Sequence, residues 1–259
     1  MLGIVPLELP MSGSGGQHRV YFFLFDPSED TTITDDTQIQ QESTLLGDTQ
    51  QHRPFQGWLL IMQVFVAGAA SLAVEMSAMR LLPLYFGDTV LVTSSLIGLI
   101  LLYLTVGYYL GGYQADRRPS ARLFYGISAI AAILISLIPL QAPPILHWSQ
   151  LTFIPNSPLN VFLGSLVAII LIFAIPTILL GCTSPFAIRL SVEHIGKLGQ
   201  TSGMLYAVST AGSIVGTFLS VVIFLPDQGT TRTFIIFAAT LFLVSVIGLM
   251  VGRNSGAKE

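Results

Sequence analysis

The chain has 259 residues, 52% hydrophobic and only 10% charged, with a formal net charge of -3 and a mean hydropathy of +0.73. A soluble domain carries about 25% charged residues, so the composition excludes an ordinary water-soluble fold. With no extended basic run it also excludes a nucleic-acid partner.

Eight acidic residues (Glu8, Asp26, Glu29, Asp30, Asp35, Asp36, Glu42, Asp48) precede residue 57. Residues 1–56 therefore read as an acidic N-terminal cytoplasmic arm. It is too polar to bury a core of its own and is expected to order only against a partner. The apolar run 20–25 (VYFFLF) is too short to span and reads as a strand or a docking segment. The start, MLGIVPLELPMSG, has neither the basic n-region nor the long apolar run of a cleavable signal.

Six apolar stretches follow, at about 58–80, 89–112, 121–141, 160–191, 201–225 and 231–252. A hydrocarbon layer about 30 Å thick takes about 20 helical residues to cross. In it only helices or closed barrels satisfy their own backbone groups. The fold class is therefore all-α: a polytopic helical membrane protein, with a transmembrane domain at 57–253 and a short cytoplasmic tail at 254–259. Gly87-Asp88, Arg117-Arg118-Pro119 and Pro226-Asp227-Gln228-Gly229 punctuate the links, and Pro143-Pro144 opens a longer loop over 142–158 that carries Trp148 and Phe153. Pro176 and Pro185 predict a kink or break of the fourth span near Gly181.

Basic residues in short loops orient the spans. Arg117, Arg118, Arg122, Arg189, Lys197, Arg253 and Lys258 fall on one side, and the third link has no Lys or Arg. Both termini are thus expected in the cytoplasm, with the chain a multi-pass protein of the bacterial inner membrane.

Within the spans, Gly107 and Gly111, and Gly212 and Gly216, have the four-residue spacing that lets helix backbones approach closely. Glu75 is the carboxylate placed inside a span, with Arg80 five residues on. A charge at that depth costs about 3 kcal/mol on insertion scales, so it pairs or faces a polar cavity. Glu75 is either a proton or cation site or a protonated or paired acid that fixes the bundle. The single cysteine, Cys182, excludes an internal disulfide, and no Cys/His group has metal-ligand spacing. The histidines (His18, His52, His147, His194) are scattered; His147 and His194 read as link residues. Ser184, Cys182 and Thr183 lack an intramembrane base to activate them. No catalytic residue, metal or cofactor is expected.

Gly112 through Arg118 (GYQADRR), then Arg122, resembles the loop signature of the major facilitator family: a glycine, an aspartate (Asp116) and several arginines. Longer stretches match more. They are 68–82 (GAASLAVEMSAMRLL) with Phe86-Gly87-Asp88, and 176–185 (PTILLGCTSP) followed by Gly199, Gly203, Tyr206, Thr210, Gly212, Gly216, Leu225-Pro226, Gly229 and Arg232. Together they resemble the membrane region of bacterial fused major-facilitator/spermidine synthase proteins over about 60–235. The resemblance implies one major-facilitator half as the fold. In that family an aminopropyltransferase-like domain follows the spans. Here no glycine-rich nucleotide loop follows a strand, so the expectation is a chain that is not an enzyme. The expected role is a non-catalytic membrane subunit that anchors or scaffolds a partner protein, such as a separate soluble synthase-like protein, or a larger complex. The alternative is a half-transporter acting as a dimer on polyamines or other organic cations.

Overall fold

The computed structural model divides the chain into two compact units, Met1–Gln51 and His52–Glu259. The structure describes residues 5–6, 21–22, 54–153, 157–191 and 198–255. In the first unit, β1 (Val5–Pro6) pairs antiparallel with β2 (Tyr21–Phe22), Val5 opposite Phe22. The aromatic run thus supplies a short strand; of the expected arm at 1–56, residues 54–56 already belong to the first long helix, and the remainder apart from these two strands lies outside the described residues.

The second unit is helical. Its elements are α1 (Pro54–Leu81), α2 (Pro83–Phe86), α3 (Val90–Arg117), α4 (Ala121–Thr152), α5 (Pro158–Ser191) and α6 (Leu198–Phe218). A π-helical stretch (Leu219–Phe224) then leads into α7 (Leu225–Ser255). Five apolar stretches among the described residues are long enough to cross a membrane: Gly57–Phe86, Val90–Arg117, Ala121–Thr152, Pro158–Ser191 and Leu198–Val251. Even the 28 residues of α3 extend about 42 Å at 1.5 Å per residue, against about 30 Å of hydrocarbon.

That count is five where six are expected, because the last two spans form one 54-residue stretch. It is not straight. Gly229 stands at φ 76°, ψ 171°, a region open to glycine almost alone. Phe224 and Phe237 meet edge to face with centroids 5.7 Å apart; thirteen residues of straight helix would separate them by about 20 Å. The chain therefore doubles back at Gly229.

The third link differs more. Pro143-Pro144 does not open a loop; α4 continues through both prolines to Thr152, and His147 lies on it. Packing holds these turns. Ala142, Leu146 and Ser149 are buried, Ser149 Oγ donates to Gly164 O of α5 at 2.7 Å, and Gln150 Nε2 donates to Tyr85 O of α2. Likewise, α5 runs as one helix across Pro176, Gly181 and Pro185, without the expected break. Proline removes one backbone donor, which neighbouring helices and hydroxyls compensate inside bundles. Thr183 Oγ1 caps Leu180 O at 2.6 Å, and α3 clasps Gly181 from the side.

The helices pack in the neighbour order α3–α5–α4–α7–α1–α6, with α5 also touching α1 and α6. Contacts give their directions. Gly107 sits against Ile178 and Gly181, Gly111 against Cys182 and Pro185, so α3 and α5 run parallel. Gly212 sits against Phe65 and Gly216 against Ala69, so α1 and α6 run parallel too. Gly248 near the end of α7 meets Tyr125 near the start of α4, an antiparallel pair.

One apolar cluster fills the middle and one end of the bundle, around Ala70, Leu96, Ile135, Phe173 and Phe234. A smaller one, with Val64, Ala115, Phe124, Phe186 and Leu205, closes the end where α1, α4 and α6 begin and α3 and α5 finish. Arg117, Arg118, Arg122 and Arg189 belong to this second end.

Candidate functional site

Two places concentrate the chemistry: the acid within α1 and the charged end of the bundle. Glu75 lies on α1 two turns beyond Gly68, close to the helical stripe that meets α6, and is half-buried. Arg80 is exposed at the end of the same helix. Five residues rotate a side chain by about 140° from its predecessor, and no ion pair joins Glu75 to Arg80 or to any other cation among the described residues. The structure therefore does not bring this pair together.

The glycines form two seams. On α3, a Cβ built on Gly111 would lie 2.6 Å from Cys182 Cα and 2.8 Å from Cys182 O. One on Gly181 would lie 3.0 Å from Leu104 O. Gly107 leaves still less room, against Ile178 O. On α6, Gly212 and Gly216 meet the Phe65 and Ala69 carbonyls, while Gly68 meets Ser209 from the other side. Ser213 Oγ donates to Gly68 O at 3.1 Å across this seam. Backbone-on-backbone contact of this kind is how apolar helices associate where lipid supplies no hydrophobic drive.

At the charged end, Asp116 meets Arg189 of α5 at 3.4 Å, joining the ends of the two seam helices. Arg117 stacks its guanidinium 4.1 Å from the centre of the Tyr113 ring. The Arg118 backbone N–H caps Gln114 O. Gly112 stands farther from α5 than Gly111, with Pro185 Cβ 3.9 Å from its built Cβ, and Arg122 is exposed on the first turn of α4. The GYQADRR stretch thus forms a helix end rather than a free loop.

Reading the sequence for carboxylates missed an amide. Gln63 of α1 is fully buried and donates from Nε2 to Ser245 Oγ of α7 at 2.9 Å; Ser245 in turn donates to Leu241 O. Among the described residues, Gln63 Oε1 has no partner, nor do the buried hydroxyls of Ser77 and Tyr103. A glutamine seven residues into an apolar span was the available signal. Ser184 and Tyr206 line a small crevice with Val64, Ala187, Ile188 and Leu205. Among the described residues no group of three His, Cys, Asp or Glu could hold a metal.

Fold and site together define a bundle of long apolar helices with backbone-tight seams, a lone internal acid and one arginine-rich end. The chain is similar to two curated proteins of Ralstonia nicotianae, polyamine aminopropyltransferase 1 and polyamine aminopropyltransferase 2. Each is 26% identical over 188 residues, which is 69% of this chain and 32% of the relative. The chain thus spans about a third of the length of the relatives it matches. No family model matches it, and no solved structure does.

Proposed function

We propose that this chain is a non-catalytic integral membrane subunit that anchors or scaffolds a partner. The partner would be an aminopropyltransferase-like protein or a larger membrane complex. The observation that carries this reading is the pair of glycine seams. Backbone contact along α3–α5 and α1–α6 makes a rigid platform, because close-packed interfaces resist continuous deformation. The partial similarity to proteins named polyamine aminopropyltransferase supports a partner of that chemistry.

In this reading the doubling back at Gly229 turns the fifth apolar stretch into two crossings, giving six. The two parallel pairs and the antiparallel α4–α7 pair are the directions that six alternating crossings require. They suit one half of a major-facilitator bundle, where three-span repeats are related by inversion. The arginine-rich end faces the cytoplasm of a bacterial inner membrane by the positive-inside rule, which places both termini there.

The test is purification of the native protein in mild detergent with identification of whatever accompanies it. Stoichiometric subunits support the platform, and deletion of residues 1–55 should release them while leaving insertion intact. Recovery of the chain alone would overturn it.

A second reading is favoured by Glu75, half-buried at spanning depth with no cation in ion-pair range among the described residues. Such residues mark ion and substrate paths. A dimer of this chain would then carry polyamines or other organic cations, and Glu75→Gln would abolish polyamine uptake. Uptake unchanged by that substitution removes this reading.

A further inference from the structure

Three features of α3 converge at its last turn. It packs on α5 through one narrow stripe (Leu96, Ile100, Tyr103, Gly107, Gly111, Ala115). Away from that stripe, Leu102, Val106, Tyr109 and Tyr113 recur at spacings of four, three and four and are 53%, 36%, 75% and 49% exposed. Arg117 continues the same line four residues on, its guanidinium on the Tyr113 ring. One helix face thus passes from aliphatic to aromatic to cationic over fifteen residues, about 22 Å.

Arg118 follows Arg117 within a link of only residues 118–120, and Arg122 lies on the first turn of the next helix. Despite that short link, α3 and α4 do not pack along each other, whereas α5 packs on both. Among the described residues the carboxylate in ion-pair range of this end is Asp116, and it engages Arg189. Among the described residues, Arg117, Arg118 and Arg122 are left as three exposed guanidiniums without a counter-charge. Guanidinium groups match phosphate oxygens with two donors at once. An aromatic belt beneath a cationic rim is the profile of a lipid's ester region beneath its headgroup.

We propose that this corner binds an anionic phospholipid. Its phosphate is held by Arg117, Arg118 and Arg122, its ester region lies against Tyr113 and Tyr109, and an acyl chain runs along Val106 and Leu102. The inference rests on the reading of this chain as membrane-embedded, and goes beyond it by assigning a lipid class to a particular corner. Positive-inside orientation alone would make any arginines at this end equivalent. A site makes these three matter more than others.

The full chain is reconstituted in nanodiscs of phosphatidylcholine with a few per cent phosphatidylglycerol, and co-purified lipid is quantified by mass spectrometry. Wild type should enrich phosphatidylglycerol. The R117Q/R118Q/R122Q variant should lose that enrichment, by on the order of a hundredfold in affinity at roughly tenfold or less per arginine near the surface. An R80Q/R232Q variant, at the other end, should retain it. Single substitutions at the three arginines give graded losses and remain informative if the triple variant fails to insert. Millimolar inorganic phosphate should not displace the lipid; displacement would mean a phosphate site without lipid recognition and would overturn the proposal. So would equal enrichment in wild type and triple variant, or equal loss in both variants. Failure of the chain to enter nanodiscs at all would instead defeat the membrane reading. Partner retention, scored in the same preparations, reports separately on the platform.

Discussion

Gly111→Ala should open the α3–α5 seam, and the chain carries its own reporter of that event. A Cβ at this position falls 2.6 Å from Cys182 Cα, 2.8 Å from Cys182 O and 2.9 Å from Pro185 Cγ. The first two are α5 backbone, which no rotamer change can move. Ordinary contact begins near 3.4 Å, so the helices must part by about 0.8 Å at the crossing. Overpacking of this kind costs about 1–3 kcal/mol, offset by up to about 1 kcal/mol of helix propensity gained on leaving glycine. A net loss of about 1–2 kcal/mol raises the open population roughly 5–30-fold. Cys182 is buried in this seam and is the only cysteine. Its rate of maleimide labelling in detergent should therefore rise by that factor. Gly98→Ala, on the same helix with nothing within 4 Å, should leave the rate unchanged or lower it. A Gly111→Ala rate within twofold of wild type, or an equal rise with Gly98→Ala, would refute the close-approach argument.

Gly229→Ala forces a Cβ into φ 76°, ψ 171° and should cost about 1–3 kcal/mol, read as a lower midpoint in detergent unfolding; Gly57→Ala, which meets nothing within 4 Å, is the control. Ser245→Ala should be more damaging than Gln63→Leu. The first strands a buried amide, at about 0.6 kcal/mol for an average membrane hydrogen bond and up to about 1.7; the second also removes the orphaned Oε1 and can be neutral. The same unfolding midpoints decide the order, and a reversed order sinks the argument. Asp116→Asn should shift stability by less than about 0.5 kcal/mol, because an exposed pair at 3.4 Å is screened by solvent; a larger loss would make this pair a structural clasp.

Much of the bundle is legible in the sequence because lipid imposes a coarse rule: long apolar runs between charged ends. Span limits near Pro54, Val90 and Pro158 follow from it. What the rule cannot read is packing. Pro143 and Pro144 look like a stop by local chemistry, yet Leu146 and Ser149 find buried partners on α5 and keep the helix going. Pro176 and Pro185 look like a break, yet the backbone is clasped from α3 at Gly107 and Gly111. Proline's cost is local; its compensation comes from residues dozens of positions away. Glu75 could be picked out from its charge alone. Gln63 could not be ranked, since an amide is tolerated in a span and its significance rests on Ser245, 182 residues later. The partner of Asp116 was equally hidden: the basic neighbours within its own motif are nearer in sequence, and Arg189 of α5 takes the bond.

These distant contacts share a logic that bears on both functional readings. Among the described residues, α3 and α4 are joined by a short link but do not pack along each other, while the tight seams join α3 to α5 and α1 to α6. Of the seam helices, α1 and α3 therefore each depend on a partner made later in the chain. A hairpin of consecutive helices could insert and settle alone; these cannot bury their glycine faces until α5 and α6 arrive. The outer helices α3 and α6 then stand at the two ends of the neighbour order, each leaning on its seam and each leaving a broad apolar face outward. A platform uses those faces for lipid and a docked partner, and needs the seams shut. A transporter needs a seam to open, against backbone contacts that leave no room for even a methyl group. The Cys182 labelling rate separates the two directly. Acceleration by a polyamine in wild type would show a seam that moves with substrate, while indifference to polyamine with strong acceleration by Gly111→Ala favours the rigid platform.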